Sequence, residues 1–125
     1  MEITHRTNNV RIAPRKLRLV ADQMRHQNVA TALGVLPLVT NRGAEILYKS
    51  LNAAIDVAKD RNLDLGSLVI QRVWCDEGRK LKRSIHHSRG RSAMIMKQSS
   101  HLSIMLKGEP KARTRKKAAT VEEEK

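Results

Sequence analysis

Between Asp76 and Ala93 the chain reads DEGRKLKRSIHHSRGRSA, and the reading of this stretch decides the fold. Six of its side chains are Arg or Lys (Arg79, Lys80, Lys82, Arg83, Arg89, Arg91), and its only acids, Asp76 and Glu77, stand at the opening edge. With so few apolar residues it builds no core of its own. A free protein gains little from projecting so much like charge, whereas a protein packed among phosphates gains a great deal.

The flanks give the stretch its shape. Before it, Leu68, Val69, Ile70, Val73 and Trp74 read as a strand that is apolar on both sides. After it, Met94, Met96, Leu102, Ile104 and Leu106 share one parity, and Lys97, Ser99, His101, Ser103 and Lys107 share the other, the signature of a closing strand with one buried face. The two strands are expected to pair antiparallel, with the basic stretch as the continuation of their hairpin. One arm climbs from Gly78 to Ser84 and the other returns from Arg91 to Lys97, each spanning roughly 23 Å at about 3.3 Å per residue. Asp76, Glu77 and Gly78 are expected to form the bend or bulge where the strand leaves the body. A bare two-stranded ribbon is at best marginally stable in water. The tip around His86–Gly90, with Gly90 free in φ, is therefore expected to be mobile until phosphate contacts hold it.

Toward the N-terminus, Thr4 to Ile12 reads as a short strand or extended arm. Pro14 suits the first position of a helix whose apolar stripe is Leu17, Val20, Ala21 and Met24. Arg15, Arg18, Asp22 and Arg25 lie on its other side, a face that the total charge turns toward nucleic acid. Asn28 can cap a second short helix carrying Val29, Ala32, Leu33 and Leu36, which Pro37 ends. The longest helical pattern runs from about Arg42 to Asp60, burying Ala44, Leu47, Tyr48, Leu51, Ala54, Ile55 and Ala58 and exposing Glu45, Lys49, Asn52, Asp56 and Lys59. Asn62–Gly66 marks the turn that follows. Beyond Gly108 the pattern lapses, so residues 109–125 read as a charged tail whose basic half, Lys111 to Lys117 with Arg113 and Arg115, is a phosphate-binding arm. Residues 1–108 make one domain.

Composition narrows the function. The 125 residues hold 25 Lys and Arg against 12 Asp and Glu, a net charge of +13 that points to a polyanion partner, nucleic acid ahead of anionic membrane. No apolar run approaches the roughly 20 residues that cross a bilayer, and the start lacks the apolar segment of a secretory signal. Cys75 is the only cysteine, which rules out an internal disulfide and fits a reducing compartment. Trp74 and Tyr48 are the only large aromatics, so recognition is expected to rest on phosphates and shape rather than on stacked bases.

No catalytic or metal-binding spacing is present. His86 and His87 are adjacent but lack a metal-ligand pattern with His5, His26 and His101, and the surrounding positive charge opposes a cation. An RNA-cleaving enzyme using His86 or His87 as acid and base has no accompanying constellation. No cofactor is expected.

APRKLRLVADQMR from Ala13 to Arg25, the A-L-x-x-L of Ala32–Leu36, the LNAA of Leu51–Ala54, WCDEGRKLKRS from Trp74 to Ser84, GRS at 90–92 and SSHLSI at 99–104 closely resemble the bacterial-type family of protein twenty-two of the large ribosomal subunit. The match covers about Thr7 to Leu106. It implies an α+β fold, three helices packed on a three-stranded antiparallel sheet, with a long protruding β-hairpin. It further implies large-subunit rRNA as partner, a part in assembly, and a hairpin tip that lines the nascent-peptide exit tunnel beside ribosomal protein four. Carried over, Arg15, Lys16, Arg18, Lys80, Lys82, Arg83 and Arg91 face RNA. Ser84, Ile85, His86, His87, Ser88, Arg89 and Gly90 form the tunnel tip. With Arg11, Arg25, Arg79, Lys97 and the tail cations they complete the expected contacts. The sequence departs from the family at the tip: family members resemble MPRAKGRA, and here His86 and His87 replace proline and arginine, trading a fixed φ and a guanidinium for two imidazole rings.

The expected function is thus a structural, non-enzymatic constituent of the large subunit, monomeric apart from its ribosomal neighbours and the nascent peptide, and located in cytoplasmic or organellar ribosomes. The alternative is a free architectural protein on nucleic acid. It shares the charge and the ribbon but needs dimer symmetry or an apolar wedge, and the tip offers only Ile85.

Overall fold

The computed structural model describes residues 1–111. Their order is β1 (Glu2–Val10), α1 (Pro14–Met24), α2 (Val29–Val35), α3 (Arg42–Asp60), β2 (Val69–Glu77), β3 (Leu81–His86), β4 (Ser92–Lys97) and β5 (Ser100–Lys107). The body is an antiparallel sheet in the order β1-β5-β2, with α1 against β2 and α3 against β1 and β5; β3 and β4 form a separate two-stranded ribbon. This is the expected α+β architecture.

Helix α1 forms as its stripe predicts. Pro14 occupies the first turn, and Leu17, Val20, Ala21 and Met24 are all buried. Helix α3 also keeps the bounds read from its periodicity, and Ala44, Ala54 and Ala58 are fully buried, small enough to bring the helix axis close to its neighbours. Two buried hydroxyls have partners: Ser50 Oγ lies 3.0 Å from Thr7 Oγ1, and Ser100 Oγ donates to Ile12 O at 3.1 Å. Burying them therefore leaves no orphan group.

Several local expectations change. The first strand starts at Glu2 and ends at Val10; Ile3 is its core residue, and Ile12 reaches the core from beyond the strand. Asn28 takes the N-cap position without a side-chain cap bond, and Leu36–Leu38 is a 3₁₀ turn containing Pro37. Tyr48 is 37% exposed, because it sits at the margin of the α3 stripe rather than within it. The closing strand is two strands. Met94 and Met96 are exposed on the ribbon, whereas Leu102, Ile104 and Leu106 are core residues, and the ladder breaks at Gln98–Ser99. Shared parity continued across a break that no residue type announces.

The ladder between β2 and β5 runs without interruption from Arg72–Met105 to Glu77–Ser100, so the ribbon leaves at Gly78 and the bulge lies elsewhere, between Ile70 and Arg72. At Gly78 the backbone N–H donates to Ser99 O at 2.8 Å, and an added Cβ would stand 2.6 Å from Ser99 Oγ and 3.0 Å from the Ser99 backbone. Only glycine allows the two chains this close an approach. Ser99 Oγ donates to Arg79 O at 2.7 Å and closes the joint.

Candidate nucleic-acid interface

The ribbon pairs Leu81 with Lys97, Arg83 with Ile95 and Ile85 with Ala93 on one face, and Lys82 with Met96, Ser84 with Met94 and His86 with Ser92 on the other. All of β3 is exposed, and none of the core lies between Gly78 and Ser99. At the tip His87 N–H donates to Arg91 O at 2.7 Å, while Arg89 at φ 61 and Gly90 at φ 71 turn the chain through the left-handed region. Arg89 bears the strain that a side chain incurs there.

Where the ribbon meets the body, a cleft of about 640 Å³ is lined by Arg11, Arg42, Arg79, Arg83 and Lys97, with Asn9, Leu81, Gln98 and Ser99 completing the wall. A neighbouring cleft of about 370 Å³ shares Arg11, Arg42 and Gln98 and adds Lys16 and Met96. Among the described residues no carboxylate lines either one. Five of the expected cations therefore converge, although positions 11, 16, 79, 83 and 97 are far apart in sequence. Arg42 was missed: read along the chain it merely opens a helix. It occupies the first turn of α3, where the helix dipole disfavours positive charge, and Asn41 makes no side-chain cap bond. A cation held against the local rule is itself a signal of function.

Other expected contacts sit elsewhere. Arg18 donates from Nε and Nη2 to Cys75 O at 3.2 and 2.9 Å, and Arg25 Nε donates to Val73 O at 3.2 Å. These bonds occupy carbonyls on the free edge of β2, so both arginines seal an edge strand while their remaining N–H groups stay exposed. Arg25 also pairs with Asp22 at 3.0 Å. Lys80 pairs with Glu77 at 3.1 Å, and its hydrogen bond and charge, followed by the charges of Arg18 and Arg15, hold the Glu77 carboxyl below the usual range. Arg15, Lys82, Arg89 and Arg91 are exposed and belong to neither cleft. Lys111 is exposed, and its N–H donates to Asn62 O at 2.9 Å. Arg113 and Arg115 lie outside the described residues.

Cys75 is buried in β2, and desolvation pushes its thiol up to about 11 against the opposing pull of Arg18. Folding favours the protonated thiol, so its contribution to stability is complete below the free-thiol value of about 9 and is lost as the pH rises toward about 11. Cys75 is expected to resist an aromatic disulfide reagent for hours at pH 7.5 in the folded protein and to react within minutes in denaturant. Fast labelling without denaturant would contradict this burial.

Among the described residues no group of three or more His, Cys, Asp or Glu could hold a metal ion, and no helix is long and apolar enough to cross a membrane. A small α+β body bearing an exposed basic ribbon above cation-lined clefts is the build of a nucleic-acid-binding protein. Comparison with known proteins narrows that class: the chain belongs to the family described as ribosomal protein L22p/L17e, whose sequence model matches residues 5–107. Relatives called large ribosomal subunit protein uL22 include those of Mycoplasmopsis pulmonis, 39% identical over 107 residues (85% of this chain, 97% of the relative), and Mesoplasma florum, 39% over 110 residues (87% and 98%). That of Desulfosudis oleivorans is 36% identical over 97 residues (78% and 85%). The family's role is structural rather than catalytic.

Proposed function

We propose that the chain is a structural constituent of the large ribosomal subunit that binds large-subunit rRNA, supports subunit assembly and lines the nascent-peptide exit tunnel with the tip of its ribbon. The observation that carries the reading is the convergence of Arg11, Lys16, Arg42, Arg79, Arg83 and Lys97 on two adjoining clefts that no carboxylate among the described residues lines. Such a surface neutralises several phosphates at once and reads backbone position and shape rather than base sequence. Arg15, Lys82, Arg89, Arg91 and Lys111 extend the contact over the ribbon and the helical face, and the tail cations Arg113 and Arg115 add to it. Arg18 and Arg25 combine RNA contact with sealing of the β2 edge. Ser84 to Gly90 form the tunnel segment, with ribosomal protein four and the nascent chain as neighbours. The ribosome, in the cytoplasm or an organelle, is the location.

Sedimentation tests the assignment. In extract washed at moderate salt, the tagged full-length protein is expected only in the large-subunit fraction. Recovery as a soluble dimer on DNA would instead favour the free architectural protein.

A further inference from the structure

The sheet face turned away from the helices carries the only tryptophan. In the register, Trp74 and Arg6 flank Ser103, and Arg72 and Thr4 flank Met105. Ser103 is only 2% exposed, so larger neighbours cover it on a face where Arg6 and Arg72 are exposed and Trp74 is partly so. The bulge between Ile70 and Arg72 keeps both Ile70 and Val73 in the core and leaves two consecutive residues, Gln71 and Arg72, between them. With Arg25, His26, Trp74 and Met105 these residues line a cleft of about 560 Å³, within the roughly 300–1,000 Å³ typical of small-ligand sites. Gln71 Oε1 is buried without a hydrogen-bond partner among the described residues.

We infer that this cleft takes one unstacked nucleotide of the bound RNA, its base against Trp74 and Met105 and its phosphate on Arg72 and Arg25. The inference rests on the proposed rRNA binding and adds a base-level contact to it. Arg72 makes no ion pair among the described residues, while Arg25 is fixed by Val73 O and offsets only Asp22. A cationic ligand is repelled by the two guanidinium groups, and a purely apolar one leaves them without a counter-charge. A nucleotide supplies the ring and the negative charge together.

The single tryptophan makes the test direct. Titrating the full-length protein with transcribed large-subunit rRNA is expected to quench its emission. Trp74→Leu is expected to weaken binding roughly 5- to 150-fold, the range for loss of one base stack, with the salt slope unchanged because stacking releases no counterions. Trp74→Phe, which keeps a ring, is expected to recover most of the affinity, and Arg72→Gln to lower the salt slope by roughly one. Tight binding with unaltered emission, or with Trp74→Leu equal to the parent, overturns this inference and leaves the ribosomal reading standing. Equal losses in Trp74→Leu and Trp74→Phe overturn it in favour of packing over Ser103. Quenching that requires a ribosomal protein instead of RNA also overturns it. Absence of any rRNA binding by the parent protein overturns both readings.

Discussion

Replacing Arg11, Arg42 and Arg83 together with glutamine is expected to weaken binding to transcribed large-subunit rRNA by roughly 100- to 500-fold at about 0.1 M salt, and to flatten log K against log salt by roughly two to three. These side chains line one cleft, and Arg11 and Arg42 also line its neighbour. Each phosphate contact contributes roughly 0.7 to 0.9 to the salt slope, depending on the form of the nucleic acid, which sets both figures. A matched control replaces Lys49, Lys59 and Arg61, which are exposed on or just after α3 and outside both clefts, by glutamine. Both triple variants reduce the net charge of +13 by three, so equal losses would show that overall charge, not the cleft, drives association. Stability provides a second check. Arg42 stands in the unfavourable first turn of α3, so Arg42→Gln is expected to leave the urea midpoint unchanged or slightly raised. Weaker binding then cannot be ascribed to unfolding.

The same residue shows what the sequence can and cannot carry. The stripes of α1 and α3 were legible because 3.6-residue periodicity over 11 and 19 residues is set by burial against one neighbour, and both helices kept their expected starts. The period of two in Met94 to Leu106 was equally plain. Yet it states only which side chains share a face, not what covers that face: Leu102 meets the helices, while Met96 meets solvent and the smaller cleft. The joint at Gly78 was signalled by a glycine beside two acids, but its cause, contact with the Ser99 backbone, lies 21 residues further on. Arg42 and Trp74 were opaque for the same reason. Each gains its meaning from strands that fold back from distant parts of the chain, Arg42 beside Arg83 and Lys97, Trp74 beside Ser103 and Met105.

The split between body and ribbon predicts an unequal response to leucine truncation. Leu102→Ala is expected to cost about 2–5 kcal/mol, because Leu102 is fully buried in the central strand with partners on both sides, Thr7 on β1 and Cys75 on β2. A buried leucine loses its transfer free energy and also leaves a cavity, and a strand hydrogen-bonded along both edges has little freedom to collapse into it. Leu81→Ala, at a position 45% exposed on the ribbon, is expected to stay within about 0.5 kcal/mol in the same urea titration. A comparable loss in both would mean that the ribbon packs on the core, contrary to its exposure. If the inequality holds, the ribbon's order does not derive from the body. Two six-residue strands joined to it through Gly78 and Ser99 are at most marginally stable alone, so the proposed RNA contacts are expected to supply the remaining stabilisation. Leu81→Ala is then expected to act on affinity through the cleft wall while leaving the unfolding midpoint in place.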